Sequence, residues 1–223
     1  MVEARSFFGL TAAASGLIAT GGYKYNNRVP SQSVEVFSLK DGWNREPRLD
    51  MNSTKYDHCS IIMESWLYTI GGIVGGTSFN DVSNLVEAID TTDQSATWIG
   101  KASMLEKRYF HSCHVGVFEG QEGIYTAGGR DTSGFDLSSV EFYNPQLDIW
   151  QEIASLTTRR GWSSMTMLGR DLIVSGGSNG QDYLSSVEMW NGSSWVELDD
   201  QRLEVGRAGH AAVSIKAGVL SCI

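Results

Sequence analysis

Residues 108–129 read RYFHSCHVGVFEGQEGIYTAGG, and this stretch decides the fold class. It opens on a basic residue, continues through two short apolar runs, and ends on a pair of glycines. The apolar runs, at residues 111–117 and 123–127, have the length and composition of β-strands. The glycines that follow suit a point where the backbone turns or where chains approach closely. The stretch therefore predicts two strands of an all-β unit.

The same landmarks recur in the same order along the chain, with a period of about 50 residues. Each unit begins with a basic residue and later shows a glycine pair, a Val-Glu step and a tryptophan. The glycines are Gly21, Gly22, Gly71, Gly72, Gly128, Gly129, Gly176 and Gly177. The tryptophans are Trp43, Trp98, Trp150 and Trp195. Four landmarks that keep their order in four units indicate a repeat, whereas an isolated glycine pair indicates little.

The repeat predicts four short strands per unit, with Ser, Thr, Gly, Asn and Asp in the intervening turns. We expect the tryptophan to pack on the neighbouring unit as a large apolar plate. The glutamate of the Val-Glu step, Glu141 in the third unit, is predicted to be buried and paired with a backbone amide or a repeat arginine, since an unpaired buried carboxylate is costly.

These landmarks resemble the kelch-repeat family over essentially the whole chain. The resemblance implies an all-β, kelch-type β-propeller, a ring of four-stranded blades that stack on one another. We place four complete blades at residues 5–54, 55–107, 108–159 and 160–206, and one strand of a fifth at 207–223. Three interpretations remain open: truncation of a six-bladed propeller, which we favour, a four-bladed ring with a spare strand, or pairing with another chain.

Composition narrows the class of function. The 223 residues carry a net charge of −9, which argues against a general nucleic-acid binder. No apolar stretch is long enough to span a membrane, so no membrane partner is expected. Three cysteines suit a reduced, cytoplasmic protein better than a disulfide scaffold. Cys59 and Cys113 lie one and two residues past their repeat histidines, so they should face opposite ways and not form a bridge.

The cations of the repeat suggest a binding surface. Most basic residues fall in the loops between the second and third strands and between blades, which share one face. Kelch adaptors that bind acidic peptides use arginines at the start of the first strand and just after the glycine pair. The match here is partial, since Lys55 cannot form a planar fork, so the resemblance implies a protein or peptide ligand but does not carry over the acidic specificity. The alternative is that these cations are ordinary solvated loop residues. The predicted peptide-binding positions are Arg5, Lys55, Arg108, Arg130, Arg160, Arg207, Ser178 and Asn179. Self-association through the incomplete propeller is also predicted.

We therefore predict a protein-interaction module, not an enzyme, with no cofactor and no metal site. The family suggests a Kelch-like ubiquitin-ligase adaptor or a cytoskeletal, actin-binding scaffold as the context. The alternative is a secreted or enzymatic kelch protein related to the copper oxidases. Against it, the chain has only four histidines, and three of them occupy the same repeat slot, which favours a structural role.

Overall fold

The computed structural model describes residues 1–14, 16–24 and 29–214, and it consists of β-strands joined by turns. Each of the four sheets is an antiparallel meander of four strands in chain order. Blade 1 contains Gly9–Ala13, Gly16–Thr20, Val34–Ser38 and Gly42–Arg45. Blade 2 contains Cys59–Met63, Trp66–Ile70, Val86–Asp90 and Ile99–Lys101. Blade 3 contains Ser112–Phe118, Gln121–Ala127, Val140–Asn144 and Ile149–Ile153. Blade 4 contains Ser164–Leu168, Asp171–Ser175, Val187–Trp190 and Trp195–Glu197.

Shorter elements lie in the loops between these strands. Two-residue strands pair Tyr23–Lys24 with Val29–Pro30, and Lys55–Tyr56 with Ile73–Val74. Single turns of 3-10 helix occupy Pro47–Leu49 and Phe79–Asp81. Within the described residues, no helix is long and apolar enough to cross a membrane. The prediction of an all-β propeller with four four-stranded blades is confirmed.

The blades are held together face to face. One apolar cluster joins Ile70 and Val86 of blade 2 to Ile124, Tyr143 and Trp150 of blade 3. These side chains are between 0% and 6% exposed. A sheet buried on both faces buries consecutive residues, as at positions 140–143, where three side chains are apolar and the fourth is Glu141. The core therefore lies between blades and not inside any one of them.

The repeat tryptophans pack on the preceding blade, as predicted, in the blades that have one before them. Trp150 donates its indole N–H to the carbonyl oxygen of Ala102 in blade 2, at 2.8 Å. Trp98 makes the same contact with Leu49 of blade 1, at 3.0 Å. Trp195 is also buried, whereas Trp43 of the first blade is half-buried.

The second glycine of each pair joins one blade to the next. The backbone N–H of Gly129 donates to the carbonyl oxygen of Arg160, the first residue of the following unit, at 2.9 Å. Gly128 has a φ of +61°, and a Cβ there would collide with the same carbonyl oxygen. The positive φ and the close approach explain why glycine occupies this position.

The fifth unit is only partly as predicted. Gly177 donates to the carbonyl oxygen of Arg207 at 2.8 Å, so this unit docks on blade 4 as its predecessors dock on theirs. Residues 207–214 nevertheless form no strand, which corrects the expectation of a first strand in the described part of this unit. A strand requires a ladder partner, and in the other blades that partner is the second strand of the same unit. Residues 215–223 lie outside the described residues.

The prediction that Cys59 and Cys113 do not pair is wrong. The two cysteines form a disulfide between the first strands of blades 2 and 3, with a Cα–Cα distance of 6.1 Å. The two side chains were expected to point opposite ways within their own sheets. In a face-to-face stack, opposite faces of adjacent sheets point at each other, so this alternation brings the two sulfurs together.

We expect reduction of this disulfide to lower the free energy of unfolding by about 4 kcal/mol, because the bridge joins residues 54 positions apart and restricts the unfolded chain. The measurement is urea unfolding of the oxidised protein with and without dithiothreitol. The double variant Cys59→Ser, Cys113→Ser serves as control and should show no response to the reductant. An unchanged midpoint on reduction of the wild-type protein would contradict the prediction.

Candidate functional site

The basic residue that opens each unit is buried in an ion pair with the glutamate of the same blade. Arg108 Nη2 lies 2.7 Å from Glu141 Oε1, and Arg160 Nη2 lies 2.6 Å from Glu188 Oε1. In blade 1 the same pair joins Arg5 to Glu35 at 2.5 Å. The three arginine side chains are 0% exposed. The predicted pairing of the repeat glutamate with a repeat arginine is thus confirmed.

Each pair sits in a wider network that ties a blade to the segment before it. The Glu141 carboxylate also accepts the backbone N–H groups of Leu105 and Glu106, at 2.6 and 3.1 Å. Arg108 Nη1 donates to the carbonyl oxygens of Gly128 and Ser139, at 2.7 and 3.1 Å. Buried charges are tolerated when such contacts satisfy them. The network fixes the start of the blade to its second and third strands.

Blade 2 has a lysine in this slot. Lys55 Nζ lies 2.8 Å from Glu87 Oε2 and donates to Thr69 Oγ1 at 3.0 Å. Burial lowers the pKa of this ammonium, while Glu87 acts in the opposite direction. A lysine cannot form the planar fork by which arginine reaches several acceptors, so blade 2 has the simpler network.

These geometries change the predicted peptide-binding set. Arg5, Lys55, Arg108 and Arg160 have no exposed side-chain surface, so they do not form a cationic ring open to a ligand. The expectation of a gripping role for these four is corrected, because each already has a carboxylate partner in its own blade. Arg207 is exposed, and its Nε donates to the Val205 carbonyl oxygen at 3.1 Å.

The remaining predicted residues follow the glycine pairs. Arg130 is partly exposed and bonds Asp136 through Nε at 2.7 Å. Ser178 occupies the same position in blade 4 but is 8% exposed, and bridges to Gly161. Asn179 is half-buried, and its Oδ1 accepts the backbone N–H groups of residues 181 and 182 in a local turn. The structure therefore does not bring the eight predicted residues together as one exposed site.

A different constellation occupies the mouth of the propeller channel on this face. Two residues after each unit's basic residue, the chain adopts a left-handed conformation that is costly for bulky side chains. The φ angles there are between +54° and +56°. We call these residues the mouth cluster: Phe7, Asp57, Phe110 and Trp162. In the fifth unit, Gly209 takes the same position with a φ of +69°.

A chain of backbone hydrogen bonds holds the mouth cluster in place. Asp57 N–H donates to the Phe7 carbonyl oxygen at 2.9 Å, and Phe110 N–H donates to that of Asp57 at 3.1 Å. Trp162 and Gly209 continue the pattern, each at 2.9 Å. Each blade thus stabilises the strained residue of the next, and the left-handed conformation is imposed by the assembly of blades.

The aromatic members of the cluster contact one another around the mouth. The ring centroids of Phe110 and Trp162 are 4.2 Å apart, and those of Phe7 and Phe110 are 6.0 Å apart. The guanidinium of Arg130 stacks over the Trp162 ring, with Cζ 3.9 Å from its centroid. Phe7 remains 47% exposed, and the other two rings are half-buried. The mouth therefore presents aromatic surface to solvent.

Asp57 is the one acidic member of the cluster, and it is only 8% exposed. Among the described residues, its carboxylate forms no hydrogen bond or ion pair, and Oδ1 is fully buried. Burial raises the pKa of Asp57 to about 8. Asp57 in turn contributes, after burial, to raising the pKa of Tyr56 to about 12. A buried carboxylate without a partner is costly, and such groups occur preferentially at functional sites.

The repeat histidines lie below the mouth, between blades. His58 Nε2 is 2.9 Å from Thr20 Oγ1, and His210 Nε2 is 3.2 Å from Ser175 Oγ. Burial lowers the pKa of His58 to about 3 and lowers the pKa of His111 well below its ordinary value. These imidazoles are neutral packing groups of the inner strands. Within the described ranges, no three side chains of His, Cys, Asp or Glu converge on a point that could hold a metal ion.

Sequence comparison agrees with this architecture. The Kelch motif matches residues 111–157, which include the glycine pair, Glu141 and Trp150 of blade 3. The chain thus has a Kelch motif in blade 3 and is similar to Kelch-like proteins along its length. Kelch-like protein 36 of Bos taurus is 26% identical over 230 residues, covering 100% of this chain and 34% of that protein. Spermatocyte protein spe-26 of Caenorhabditis elegans is 27% identical over 180 residues, covering 78% of this chain and 30% of that protein.

A solved structure confirms the kelch propeller fold. The chain titled "Structure of YjhT" superposes with a TM-score of 0.76 at 14% identity, over 95% of this chain and 75% of that one. Identity this low establishes the fold alone. This kelch chain spans about a third of the length of the two curated relatives described above.

Proposed function

We propose that this kelch propeller is a protein-interaction module that binds its ligand at the mouth cluster. The observation that carries the proposal is the set of aromatic residues held in a left-handed backbone at the channel mouth. Strain of this kind persists where surrounding structure enforces it, and it clusters at functional sites. Partly exposed Trp and Phe side chains on a rigid frame supply large contact area at low entropic cost.

The family relationship supports a binding role over catalysis. The relatives include several proteins named Kelch-like, from cattle, rodents and zebrafish. As the finer part of the proposal, we infer a role in substrate recognition or scaffolding, in a ubiquitin-ligase adaptor or a cytoskeletal assembly. The Cys59–Cys113 disulfide removes the cysteine argument for a reduced, cytoplasmic location, so the location is not part of the proposal. The partner is a protein or peptide.

An acidic ligand is not part of the proposal. That expectation depended on a ring of six cations, and four of them are enclosed by their own blades. Arg130 is stacked on Trp162 and paired with Asp136, which leaves Arg207 as the exposed member of the set. Self-association stays a prediction, and sedimentation equilibrium over a range of concentrations would test it.

The test compares substitutions on the two loop faces. Proteins retained by the whole chain in affinity capture are identified, purified and titrated against wild-type protein, Trp162→Ala and Leu39→Ala. Leu39 is the matched control, since it is 98% exposed and lies in a turn on the opposite face. We expect Trp162→Ala to weaken binding at least tenfold, as a central aromatic contact does, and Leu39→Ala to leave it unchanged. The reverse pattern would contradict the proposal.

A further inference from the structure

The joint between blades 2 and 3 is closed by a covalent bond. Cys59 and Cys113 occupy the fourth and fifth positions after the basic residues of their units, and their sulfurs form the disulfide. The same two positions in blades 1 and 2 are Gly9 and Ser60, and a Cβ on Gly9 would collide with Ser60 Oγ. These positions therefore face each other across a joint, and the disulfide forms where both are cysteine.

The neighbouring joints are held at this level by hydrogen bonds. Thr20 Oγ1 lies 2.6 Å from Ser60 Oγ between blades 1 and 2, and Ser112 Oγ lies 3.4 Å from Ser163 Oγ between blades 3 and 4. Blades 2 and 3 also have the apolar cluster and the glycine-to-carbonyl hydrogen bond that hold other blades together. The repeat thus indicates that a joint forms without a disulfide, so reduction should leave blades 2 and 3 docked.

The disulfide is accessible from the propeller channel. Cys59 is half-buried and Cys113 is 8% exposed, and both line a channel cavity of about 630 Å³. Leu10 and Val213 line the same cavity and are 52% and 71% exposed, so the cavity is open to solvent. A small thiol in the channel can therefore reach the bridge, and Cys59 is the more accessible sulfur.

The same bridge lies next to the centre of the mouth cluster. Asp57 precedes Cys59 by two residues, and Phe110 precedes Cys113 by three. Because Phe110 N–H donates to the Asp57 carbonyl oxygen at 3.1 Å, the mouth hydrogen bond and the disulfide tie the same two chain segments. Phe110 also packs on Trp162, with ring centroids 4.2 Å apart. The disulfide therefore restricts the backbone that positions the central aromatic residue of the mouth.

We propose that the Cys59–Cys113 disulfide is a thiol-reducible latch, whose oxidised form fixes the geometry of the mouth cluster and whose reduction lets Phe110 move relative to Asp57. Its consequence for ligand affinity rests on the proposed function. A binding surface that is already fixed loses less conformational freedom on association, so the oxidised protein binds its protein ligand more tightly. By linkage, the bound ligand makes the disulfide harder to reduce by the same factor.

Reduction proceeds by thiol–disulfide exchange with a small thiol such as glutathione. A reductant thiolate attacks the Cys59 sulfur, the bond between the two cysteines breaks, and Cys113 leaves as a thiolate that takes up a proton. A second reductant thiolate attacks the reductant sulfur of the mixed disulfide, and Cys59 leaves and is protonated in turn. Two reductant thiols become one small disulfide, and their two electrons and two protons pass to the cysteines. The small disulfide reverses the reaction by the same steps.

The test incubates the whole chain in mixtures of reduced and oxidised glutathione without denaturant. Alkylation of free thiols followed by intact mass spectrometry measures the reduced fraction, and backbone amide resonances report the fold and the mouth. We expect reversible reduction of a protein that stays folded, with the largest resonance shifts at Asp57, Phe110 and their neighbours. The double variant Cys59→Ser, Cys113→Ser is the matched control, since it retains Cys222 and corrects for reactions of that thiol.

The affinity for a protein retained in affinity capture is then measured in both redox states. We expect the reduced protein to bind it roughly fivefold more weakly or worse, the lower end of typical coupling between sites. The double variant should bind as weakly as the reduced protein, with the same affinity in every glutathione mixture.

The outcomes separate the latch from the proposed function. Reduction that requires urea, that unfolds the chain, or that leaves the mouth resonances unchanged overturns the latch. If Trp162→Ala weakens binding and reduction does not, the proposed function stands and the latch falls. If reduction shifts the mouth resonances of a folded protein and Trp162→Ala retains every protein ligand, the latch stands as a control of mouth geometry and the proposed binding face falls.

Discussion

Replacing Arg160 with methionine is expected to lower the free energy of unfolding by about 4 kcal/mol, the effect of breaking a buried ion pair by removing one partner. The arginine is 0% exposed and satisfies Glu188, the Gly176 carbonyl oxygen and Ser186. Methionine fills much of the same volume, so the lost stability reports mainly the carboxylate and carbonyl groups left unpaired in a dry site. Denaturant unfolding of both proteins measures the difference.

Arg207→Met is the matched control, since Arg207 opens the next unit but its side chain is exposed. Its substitution should change the free energy of unfolding by no more than about 0.5 kcal/mol, as exposed sites do. Equal losses of unfolding free energy in Arg160→Met and Arg207→Met would show that the buried ion pair is not the source of the stabilisation. A change in slope of the unfolding curve would point instead to altered cooperativity.

Asp57→Asn is expected to stabilise the protein by about 4 kcal/mol at pH 7, by the linkage between a shifted pKa and folding. The pKa of this carboxyl is about 8 in the folded protein, against an ordinary value of 3.8. Protonated Asp57 therefore contributes stability that is fully present below pH 3.8 and is lost as pH rises through 8. The amide of asparagine is neutral throughout and tolerates the left-handed backbone.

The pH dependence distinguishes this cause from a general improvement in packing. The advantage of Asp57→Asn should be near zero at pH 4 and should grow by roughly 1.4 kcal/mol for each pH unit up to about pH 8. Unfolding by urea at several pH values, with Asp182→Asn as control, measures it. An advantage that is constant across pH would mean that the buried carboxyl is not the source.

Much of the fold could be predicted from the sequence, because the residues with the same structural role recur at the same position in four units. In blade 3 the predicted strands coincide with the observed ones within a few residues, and Trp150 packs on the preceding blade as expected. The sequence predicted two roles for the repeat arginines, pairing with the repeat glutamates and binding a ligand. Three of these arginine side chains are fully buried against the glutamates, and the spacing of residues along the chain could not show that they are buried.

The mouth cluster could not be found from the sequence in the same way. Phe7, Asp57, Phe110 and Trp162 share a position two residues after the basic residue, but Asp57 interrupts the aromatic pattern and no single residue type marks the position. They share a left-handed backbone, and four bulky or charged residues occupy the position that has a glycine in the fifth unit. The alternation of side chains along a strand correctly predicted that Cys59 and Cys113 lie on opposite faces of their own sheets. Because the two sheets stack face to face, those opposite faces point at each other and the disulfide forms.

Hydroxyl-radical footprinting of the whole chain, alone and bound to a captured protein ligand, tests most directly whether the mouth cluster is the binding surface. We expect oxidation of Phe7, Phe110 and Trp162 to fall on binding, while Leu39 and Leu168 on the opposite face are oxidised as before. Protection of Leu39 and Leu168 with no change at the three aromatic residues would contradict it, and would place the interaction surface on the other mouth of the propeller.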